Sequence, residues 1–366
     1  MMKKLHISIA ALVFAAPAMA QEFNLETLAE AAKSEPPVSV YDSTGKIVAM
    51  AENFATKYGI EAAGTKARAS EQLEMVIREA QAGSIKTSVV LITDVPAAMA
   101  QLVPEGFVES WLPPDLAGDI DAAHQNPLLM VSSPNLFAYN TALSASCPIS
   151  NIWQLTEPEW RGHLAMEDPL RMPIYTDWFN QMRSHADEAV AAAYRARYGT
   201  DLQTEFGSAT EALVAALAAN APLITDTDTA AAEATAAPGA KDPFISIISA
   251  AKFRDNALKG YTLGICGGME PFAGFFNATA ALIVKNNPSP NASKLFVHYV
   301  MTGEGIAPQV EDGKVSSNRT VHLREDEPSG VAEYLDDLLP FNATSAVEDW
   351  DSRQDWQDFW RLNYVR

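Results

Sequence analysis

The chain has 366 residues, with 46 Asp and Glu against 26 Lys and Arg, and a formal net charge of -20. Nucleic acid and anionic membranes are poor partners for such an acidic surface, because like charges repel. For the same reason, a site for a small anion needs donors that are arranged locally. The length allows two domains of ~100–200 residues each.

Residues 1–20 are predicted to be an export signal. Lys3 and Lys4 precede the apolar run ISIAALVFAAPAMA, which is shorter than a transmembrane helix of ~20 residues. Ala18 and Ala20 form an A-x-A cleavage site. We therefore expect a mature protein that is located in the periplasm without a lipid anchor.

The two cysteines, Cys147 and Cys266, are expected to reach an oxidising compartment. An even number of cysteines there favours one disulfide, and two buried free thiols are the alternative. The two residues are too far apart in sequence for a C-x-x-C motif, which disfavours redox or zinc chemistry.

Strand and helix patterns alternate along the first third of the chain. VSVYDST predicts a strand, residues 46–58 a helix, and SEQLEMVIREAQAG an amphipathic helix capped by Ser70. TSVVLITD then predicts a buried strand and VPAAMAQLVPEG another helix. This order indicates an α/β layer with a mostly parallel sheet.

The same alternation continues to the C-terminus. LLMVSSPNLFAYN, HLAMEDP, LITDTD and TAALIVKN predict extended segments, whereas ATEALVAALAANAP, residues 229–237 and SPNASKLFVHYVMTGEGIAP predict helices. The last residues place Trp350, Trp356 and Trp360 on an amphipathic helix, which is expected to pack onto the rest of the fold.

Five segments, taken in this order, resemble a known family. They are VSVYDSTGKIVAMAENFATKYGIE, SEQLEMVIREAQAGSIKTSVVLITD, LFAYN, PISNIWQLTEPEWRGHLAMEDP and NPSPNASKLFVHYVMTGEGIAP. The chain resembles the periplasmic solute-binding proteins of bacterial ABC importers, in the ferric-ion-type branch that also includes binders of phosphonates and sugar phosphates.

This resemblance implies a two-lobed α/β fold, the type II periplasmic-binding-protein fold, with a ligand cleft between the lobes. The first lobe is predicted to comprise residues 21–131 and 273–318, and the second residues 132–272 and 319–366. The resemblance implies a membrane permease as partner, no enzymatic reaction and no cofactor or resident metal. We also expect the protein to be a monomer that binds no nucleic acid.

Polar residues follow the predicted strands, where ligands of α/β sheets bind. Ser43, Thr44 and Gly45 precede a helix, so their hydroxyl and N–H groups are predicted to hold an anion. Ordinary helix capping is the other interpretation, and the two are compatible, so Ser43 and Thr44 are predicted to cap the helix and thereby to hold the phosphate of the ligand. Arg68 and Ser70 follow the next strand end and predict either a further anion contact or a solvated basic edge.

The remaining predicted ligand residues follow later strands. Asp94 is either a ligand residue or the N-cap of the next helix, and Arg171 and Thr176 lie in and after the turn that follows HLAMEDP. Asp226 and Asp228 flank one residue, so on an extended strand their side chains point the same way. The last predicted ligand residue is Glu270, beside two glycines.

The resemblance also bears on the ligand. Ferric-binding members of the branch use two adjacent tyrosines near the segment that LITDTD matches, and this chain has no adjacent tyrosine pair. In sugar-phosphate binders, hydroxyl and basic groups hold the phosphate and carboxylates hold the sugar hydroxyls. We therefore expect a small anionic solute, an organic phosphate such as a sugar or polyol phosphate, with ferric ion as the alternative.

Overall fold

A computed structural model describes residues 23–365. The predicted export signal, residues 1–20, lies outside the described residues. Among the helices within 23–365, none combines the length and apolar character that crossing a membrane requires.

Twelve strands form one mixed sheet. The strands are β1 Val38–Asp42, β2 Ala62–Lys66, β3 Val89–Ile92, β4 Val108–Ser110, β5 Leu129–Asn140, β6 Leu164–Glu167, β7 Leu223–Thr225, β8 Ile245–Ser249, β9 Leu263–Ile265, β10 Gly274–Val284, β11 Val315–Ser316 and β12 Leu338–Leu339.

Thirteen α-helices cover the faces of this sheet in the described part of the chain. They are α1 Leu25–Ala32, α2 Ile47–Tyr58, α3 Ala69–Ala82, α4 Val95–Gln101, α5 Pro173–His185, α6 Asp187–Tyr198, α7 Ala209–Ala219, α8 Asp228–Ala236, α9 Asp255–Lys259, α10 Pro290–Val300, α11 Gly303–Val310, α12 Ala346–Asp351 and α13 Arg353–Asn363.

The main path of the sheet runs β2-β1-β3-β10-β5-β8-β6-β7. The outer strands are parallel to one another, as in β1 with β2 and β3 and β6 with β7 and β8. The long strands β5 and β10 are antiparallel to each other and to their neighbours β8 and β3. The prediction of a mostly parallel sheet therefore holds on both sides but not at the centre, where β5 and β10 connect the two halves.

Each half of the sheet has its own buried core. On the β1 side, Phe54 and Phe296 pack with the strands, whereas Trp178, Phe179 and Trp360 pack on the β6 side. Two cores joined by two long strands are the basis of a two-lobed fold. The exact residue boundaries of the lobes stay a prediction.

Several helix ends differ from the sequence prediction. Helix α3 begins at Ala69 with Arg68 as its N-cap, so Ser70 lies in the first turn and is not the cap. The segment predicted as one helix after Ser289 forms α10 and α11, and the Thr302 hydroxyl caps the second by accepting a hydrogen bond from Gly305 N–H. The predicted helix is divided at Thr302 because a threonine side-chain oxygen competes with backbone carbonyl groups for the backbone N–H groups of the helix.

The C-terminal tryptophans pack onto the fold as predicted but do not share one helix, because Trp350 lies on α12 and the other two lie on α13. Trp356 and Trp360 on α13 are buried in the second core, and α12 lies against α4 of the first lobe. The C-terminal segment thus contacts both halves of the molecule.

Cys147 and Cys266 form a disulfide, as predicted. The bond joins residues that are 119 positions apart. Closing a loop of this size contributes roughly 4–5 kcal/mol to stability in the chain-entropy description.

Candidate ligand-binding cleft

A cleft with a volume of about 690 Å³ opens between the two lobes. It lies at the carboxyl ends of β1, β3, β6 and β7, where ligand sites of α/β sheets are expected. Volumes of ~300–1,000 Å³ are typical of sites for small organic molecules. Its first wall is formed by Ser43, Arg68, Ser70 and Thr93, and its second wall by Glu167, Arg171, Asp226 and Thr227.

The first wall carries hydroxyl groups and one cation. Ser43 Oγ and Thr93 Oγ1 lie 3.2 Å apart in a hydrogen bond, and Ser70 is exposed in the first turn of α3. The backbone N–H of Arg68 donates to the Glu71 carboxylate at 2.8 Å, whereas its guanidinium has no partner among the described residues. The wall therefore offers an anion five N–H donors and several hydroxyls.

The turn after β1 is arranged differently from the prediction. The buried Asp42 carboxylate accepts a hydrogen bond from Thr44 N–H at 3.2 Å, so this N–H group is already used within the protein. Thr44 Oγ1 accepts from Lys46 N–H at 3.3 Å, and the N-cap position of α2 is Lys46 without a side-chain cap. Capping of α2 by Ser43 and Thr44 was thus a wrong prediction, and neither Thr44 nor Gly45 lines the cleft.

A buried polar network fixes this turn from behind. Gln309 Nε2 donates to Asp42 Oδ2 at 2.7 Å, and Lys314 Nζ donates to Gln309 Oε1 at 2.8 Å. Burial raises the pKa of Asp42, while the positive charge of Lys314 opposes that shift. Burial in turn lowers the pKa of Lys314. The network positions Ser43 in the cleft without reaching the cleft itself.

At the floor of the cleft, the lining residues Asp94 and Asp177 form an ion triad with Arg353, which lies behind them. The Arg353 guanidinium donates to both oxygens of Asp94 at 3.0 and 2.8 Å, and to Asp177 Oδ1 at 3.0 Å. Asp94 also caps α4 by accepting from Ala97 N–H at 3.0 Å. Burial raises the pKa of Asp177 well above its usual range, although Arg353 acts against this shift.

Of the two roles that the sequence left open for Asp94, the floor shows the helix cap. Asp94 lines the cleft, but its carboxylate is occupied by Arg353 and by the helix cap, the alternative that the sequence left open. The side chains of Arg353, Asp94 and Asp177 are only 11%, 12% and 10% exposed. Such a buried, paired carboxylate supports the fold more readily than it exchanges partners with a ligand.

The second wall holds an exposed ion pair. Arg171 Nη1 lies 2.7 Å from Asp226 Oδ1, with side chains that are 65% and 87% exposed. Both residues were predicted from the sequence, and both line the cleft. Their pairing is weak at such exposure, so either side chain can turn towards a ligand at little cost.

Glu167 also lines the second wall, although it was not among the predicted ligand residues. It ends β6, so the rule that strand ends line the cleft would have included it. Thr93 has the same signal, since it directly follows β3. Asp177 carries no such signal, because it lies within α5 and reaches the cleft only through packing.

Besides Thr44 and Gly45, three more predicted ligand residues do not line the cleft. Thr176 is fully buried in α5 and its hydroxyl donates to Pro173 O at 2.8 Å. Asp228 begins α8 and accepts from Ser249 Oγ at 2.9 Å, with Lys252 Nζ at 3.1 Å. Glu270 is exposed beside Asn151, whose Nδ2 lies 3.3 Å from Glu270 Oε2.

The prediction that Asp226 and Asp228 point the same way was wrong for a local reason. Strand β7 ends at Thr225, and Thr227 is the N-cap of α8, whose Oγ1 accepts from Ala230 N–H. The two aspartates therefore lie on either side of a helix start and not on one strand. Asp226 faces the cleft, whereas Asp228 faces Lys252.

The side chains that line the cleft include few groups that could coordinate a metal ion. Its lining includes neither tyrosine nor histidine. Among residues 23–365, no group of three or more His, Cys, Asp or Glu side chains is placed to hold a metal ion. The carboxylates in the lining are divided between the floor, where Arg353 pairs with them, and the second wall.

Comparison with solved structures shows the class of fold. The chain matches iron-bound HitA from Pseudomonas aeruginosa with a TM-score of 0.66 and 14% identity, over 90% of this chain and 100% of that one. It matches apo ferric ion-binding protein A from Pasteurella haemolytica with a TM-score of 0.67 and 15% identity, over 89% and 98%. The fold is that of two-lobed periplasmic binding proteins.

The chain also matches the substrate binding protein of an ABC transporter from Agrobacterium tumefaciens, with a TM-score of 0.65 and 13% identity over 91% of this chain and 95% of that one. A search of curated protein sequences finds no significant match.

The family follows from the sequence. Residues 38–313 match the family model described as bacterial extracellular solute-binding protein, and the chain belongs to this family. The resemblance to solute-binding proteins of ABC importers is thereby confirmed. A protein of this family binds a small solute and delivers it to a membrane permease.

Proposed function

We propose that the protein captures an organic phosphate with hydroxyl groups, such as a sugar or polyol phosphate, in the periplasm as a monomer. The observation that carries this proposal is the guanidinium of Arg68, which has no partner within residues 23–365 and lies beside the hydroxyls of Ser43, Ser70 and Thr93. A chain with a net charge of -20 repels anions overall, so a local set of donors such as this one is what an anion site requires.

The chemistry of the first wall suits a phosphate. A guanidinium can donate two parallel hydrogen bonds to phosphate oxygens, and hydroxyl groups can donate to the remaining oxygen. Ser70 lies in the first turn of α3, a helix of 14 residues, whose N-terminus adds a partial positive charge. The donors of this wall therefore favour an anion with several oxygens.

The second wall suits the rest of such a solute. The Asp226 carboxylate and the Thr227 residue beside it provide oxygen acceptors for hydroxyl groups. Arg171 stands at this wall with one N–H group donating to Asp226. A phosphate between the walls would contact Arg68 from one lobe and Arg171 from the other.

This division explains how binding can be linked to lobe closure. A ligand shifts a conformational equilibrium only by its difference in affinity for the two states. A solute that contacts Arg68 alone would bind open and closed forms alike, whereas one that also contacts the second wall favours the closed form. The closed form is the one that a permease would recognise.

Ferric ion is the second candidate, because most of the similar solved structures are iron-binding proteins by name. Hard oxygen ligands for such an ion are present as Glu167 and Asp226. The 690 Å³ volume and the arginine-containing walls favour an organic anion over a bare cation.

Native mass spectrometry of protein purified from the periplasm without refolding tests this proposal. We expect an added mass in the range of a phosphorylated sugar or polyol, which disappears on denaturation. An added mass of one iron, with or without a small anion, would overturn the proposal. Where the protein is purified without ligand, calorimetric titration with a panel of phosphate esters and with ferric citrate makes the same distinction.

A further inference from the structure

Glu167 occupies a distinctive place on the second wall. It is the last residue of β6, which pairs in parallel with β7 and β8, and its register partner on β7 is Thr225. The carboxyl ends of these parallel strands open into the cleft, and the half-buried Glu167 side chain is part of the lining. A ligand that reaches the second wall therefore meets this carboxyl group.

The position of Glu167 is fixed by neighbours from two helices. Its backbone N–H donates to the hydroxyl of Tyr175, 3.3 Å away, and Tyr175 is itself buried in α5. The backbone N–H of Asp228, at the start of α8, is directed at the carboxylate of Glu167 and opposes the rise in the pKa of this group. The main chain at the end of β6 is thus held by Tyr175 before any ligand arrives, with the carboxyl group beside the start of α8.

No cation neutralises this carboxyl group by direct pairing in the described residues. The nearest lysine, Lys252, lies 3.1 Å from Asp228 Oδ1 and donates to Thr229 Oγ1 at 2.7 Å. Arg171, at the same wall, pairs with Asp226. A carboxylate has about four acceptor sites, so Glu167 keeps free acceptor capacity towards the cleft.

We propose that Glu167 determines the specificity of the cleft for hydroxyl-bearing solutes by accepting a hydrogen bond from a hydroxyl group of the ligand. This inference rests on the proposed function, because it assumes a solute with both a phosphate and hydroxyl groups. An analogue without the hydroxyl would leave a half-buried carboxylate without its partner, which disfavours binding.

The protonation of Glu167 gives this contact a pH dependence. Burial, followed by the negative charge of Asp228, raises the pKa of Glu167 to about 7, against the opposing charge of Lys252. The other titratable or charged groups near it are Tyr175 of α5 and, along the second wall, Asp168, Arg171 and Asp226. Above pH 7 the carboxylate is ionised, and charge-assisted hydrogen bonds are stronger than neutral ones.

Isothermal titration calorimetry with two probes tests the inference. The probes are sn-glycerol 3-phosphate and propyl phosphate, which share a phosphate monoester and differ only in two hydroxyl groups. Because both probes carry the same phosphate monoester, the effect of phosphate ionisation on affinity cancels in the ratio of the two affinities. The proteins are the wild type, Glu167→Gln, Glu167→Ala and the control Glu233→Gln, which alters an exposed carboxylate of α8 outside the cleft.

We expect the wild type and the control to prefer glycerol 3-phosphate by about tenfold at pH 8 and by less at pH 6, since a hydrogen bond to a charged group is of this strength. Glu167→Gln should show a smaller preference that does not change with pH. Glu167→Ala should bind both probes equally, with its affinity for propyl phosphate within about twofold of the wild type.

Three results would contradict the inference. Equal binding of the two probes by the wild type, or an unchanged preference in Glu167→Ala, would overturn the role of Glu167 while leaving the phosphate site intact. Binding of neither probe by the wild type at millimolar concentration would overturn the proposed function and this inference together.

Discussion

The floor and the first wall of the cleft use the same kinds of charged residue for different purposes. At the floor, Arg353 lies between two carboxylates and is 11% exposed, whereas Arg68 at the first wall is exposed and its guanidinium has no partner among the described residues. The second wall lies between these extremes, because Arg171 has one exposed partner, Asp226. Arginine in a cleft is therefore no evidence of ligand binding until its existing partners are known.

The difference has an energetic origin. Burying charges costs several kcal/mol per ion, and only good geometry with several hydrogen bonds offsets that cost. Arg353 has this geometry, with four hydrogen bonds to carboxylate oxygens and a stacked Trp350 ring 4.9 Å from its guanidinium carbon. Removing Arg353 leaves two buried carboxylates without their cation, whereas removing the Arg68 guanidinium leaves no group unpaired in the described part of the chain.

The largest effect is expected for Arg353→Met at the floor. Loss of the guanidinium leaves two buried carboxylates without a cation, so we expect the free energy of unfolding to fall by about 3–5 kcal/mol. Urea denaturation followed by tryptophan fluorescence measures this. Arg361→Met is the matched control on the same helix, because Arg361 forms an exposed pair with Asp358. Equal losses in the two variants would show that the floor does not stabilise the fold.

Arg68→Ala at the first wall should have the opposite profile. We expect affinity for an organic phosphate such as glycerol 3-phosphate to fall about 10–100-fold, since a charge-assisted contact is lost. The free energy of unfolding should stay within about 0.5 kcal/mol of the wild type. The control is Arg78→Ala on the same helix, whose side chain donates to Glu74 O outside the cleft. Wild-type affinity in Arg68→Ala, measured by calorimetry, would remove Arg68 from the site.

Arg171→Ala should weaken phosphate binding less than Arg68→Ala, by about 3–10-fold, because an anion must compete with Asp226 for this guanidinium. Stability should hardly change, since the pair is exposed. Arg195→Ala, which breaks a similarly exposed pair with Asp201 in the same lobe, is the control for the calorimetric titration. A larger loss for Arg171→Ala than for Arg68→Ala would move the anion site to the second wall.

The smallest effect is a pH-dependent change in stability for Glu167→Gln without ligand. The pKa of Glu167 in the folded protein, about 7, lies above the ordinary value of 4.5. The folded state therefore binds more protons between these values, and the stability of the wild type falls as pH rises through this window. Glu167→Gln has no carboxyl group to ionise, so its stability does not fall in this way. The free energy of unfolding of the variant minus that of the wild type should therefore be larger at pH 8 than at pH 5.

Urea denaturation at both pH values measures this rise, with Glu233→Gln as the control. An identical difference between Glu167→Gln and the wild type at pH 5 and pH 8 would show that Glu167 titrates as an ordinary carboxyl group.

Much of the fold followed from local patterns. The buried run of β3, the amphipathic α13 and the strand-helix alternation are short-range signals, because periodicity and end residues determine them. The rule that strand ends line the cleft correctly directed attention to Ser43, Arg68 and Asp226. Errors arose where a hydroxyl or a backbone N–H had a choice of partner, as at Thr44, Thr227 and Thr302.

The amino-acid sequence by itself determined the family, the alternating elements, the two cysteines that pair and the segments that meet at the cleft. Only the tertiary structure decided which charged residues are free to act there. Arg353 and Asp94 are 259 positions apart, and their pairing depends on how α13 packs on α5 and α7. The free energy of a charged group depends on its burial and its neighbours, and residues distant in the sequence supply both.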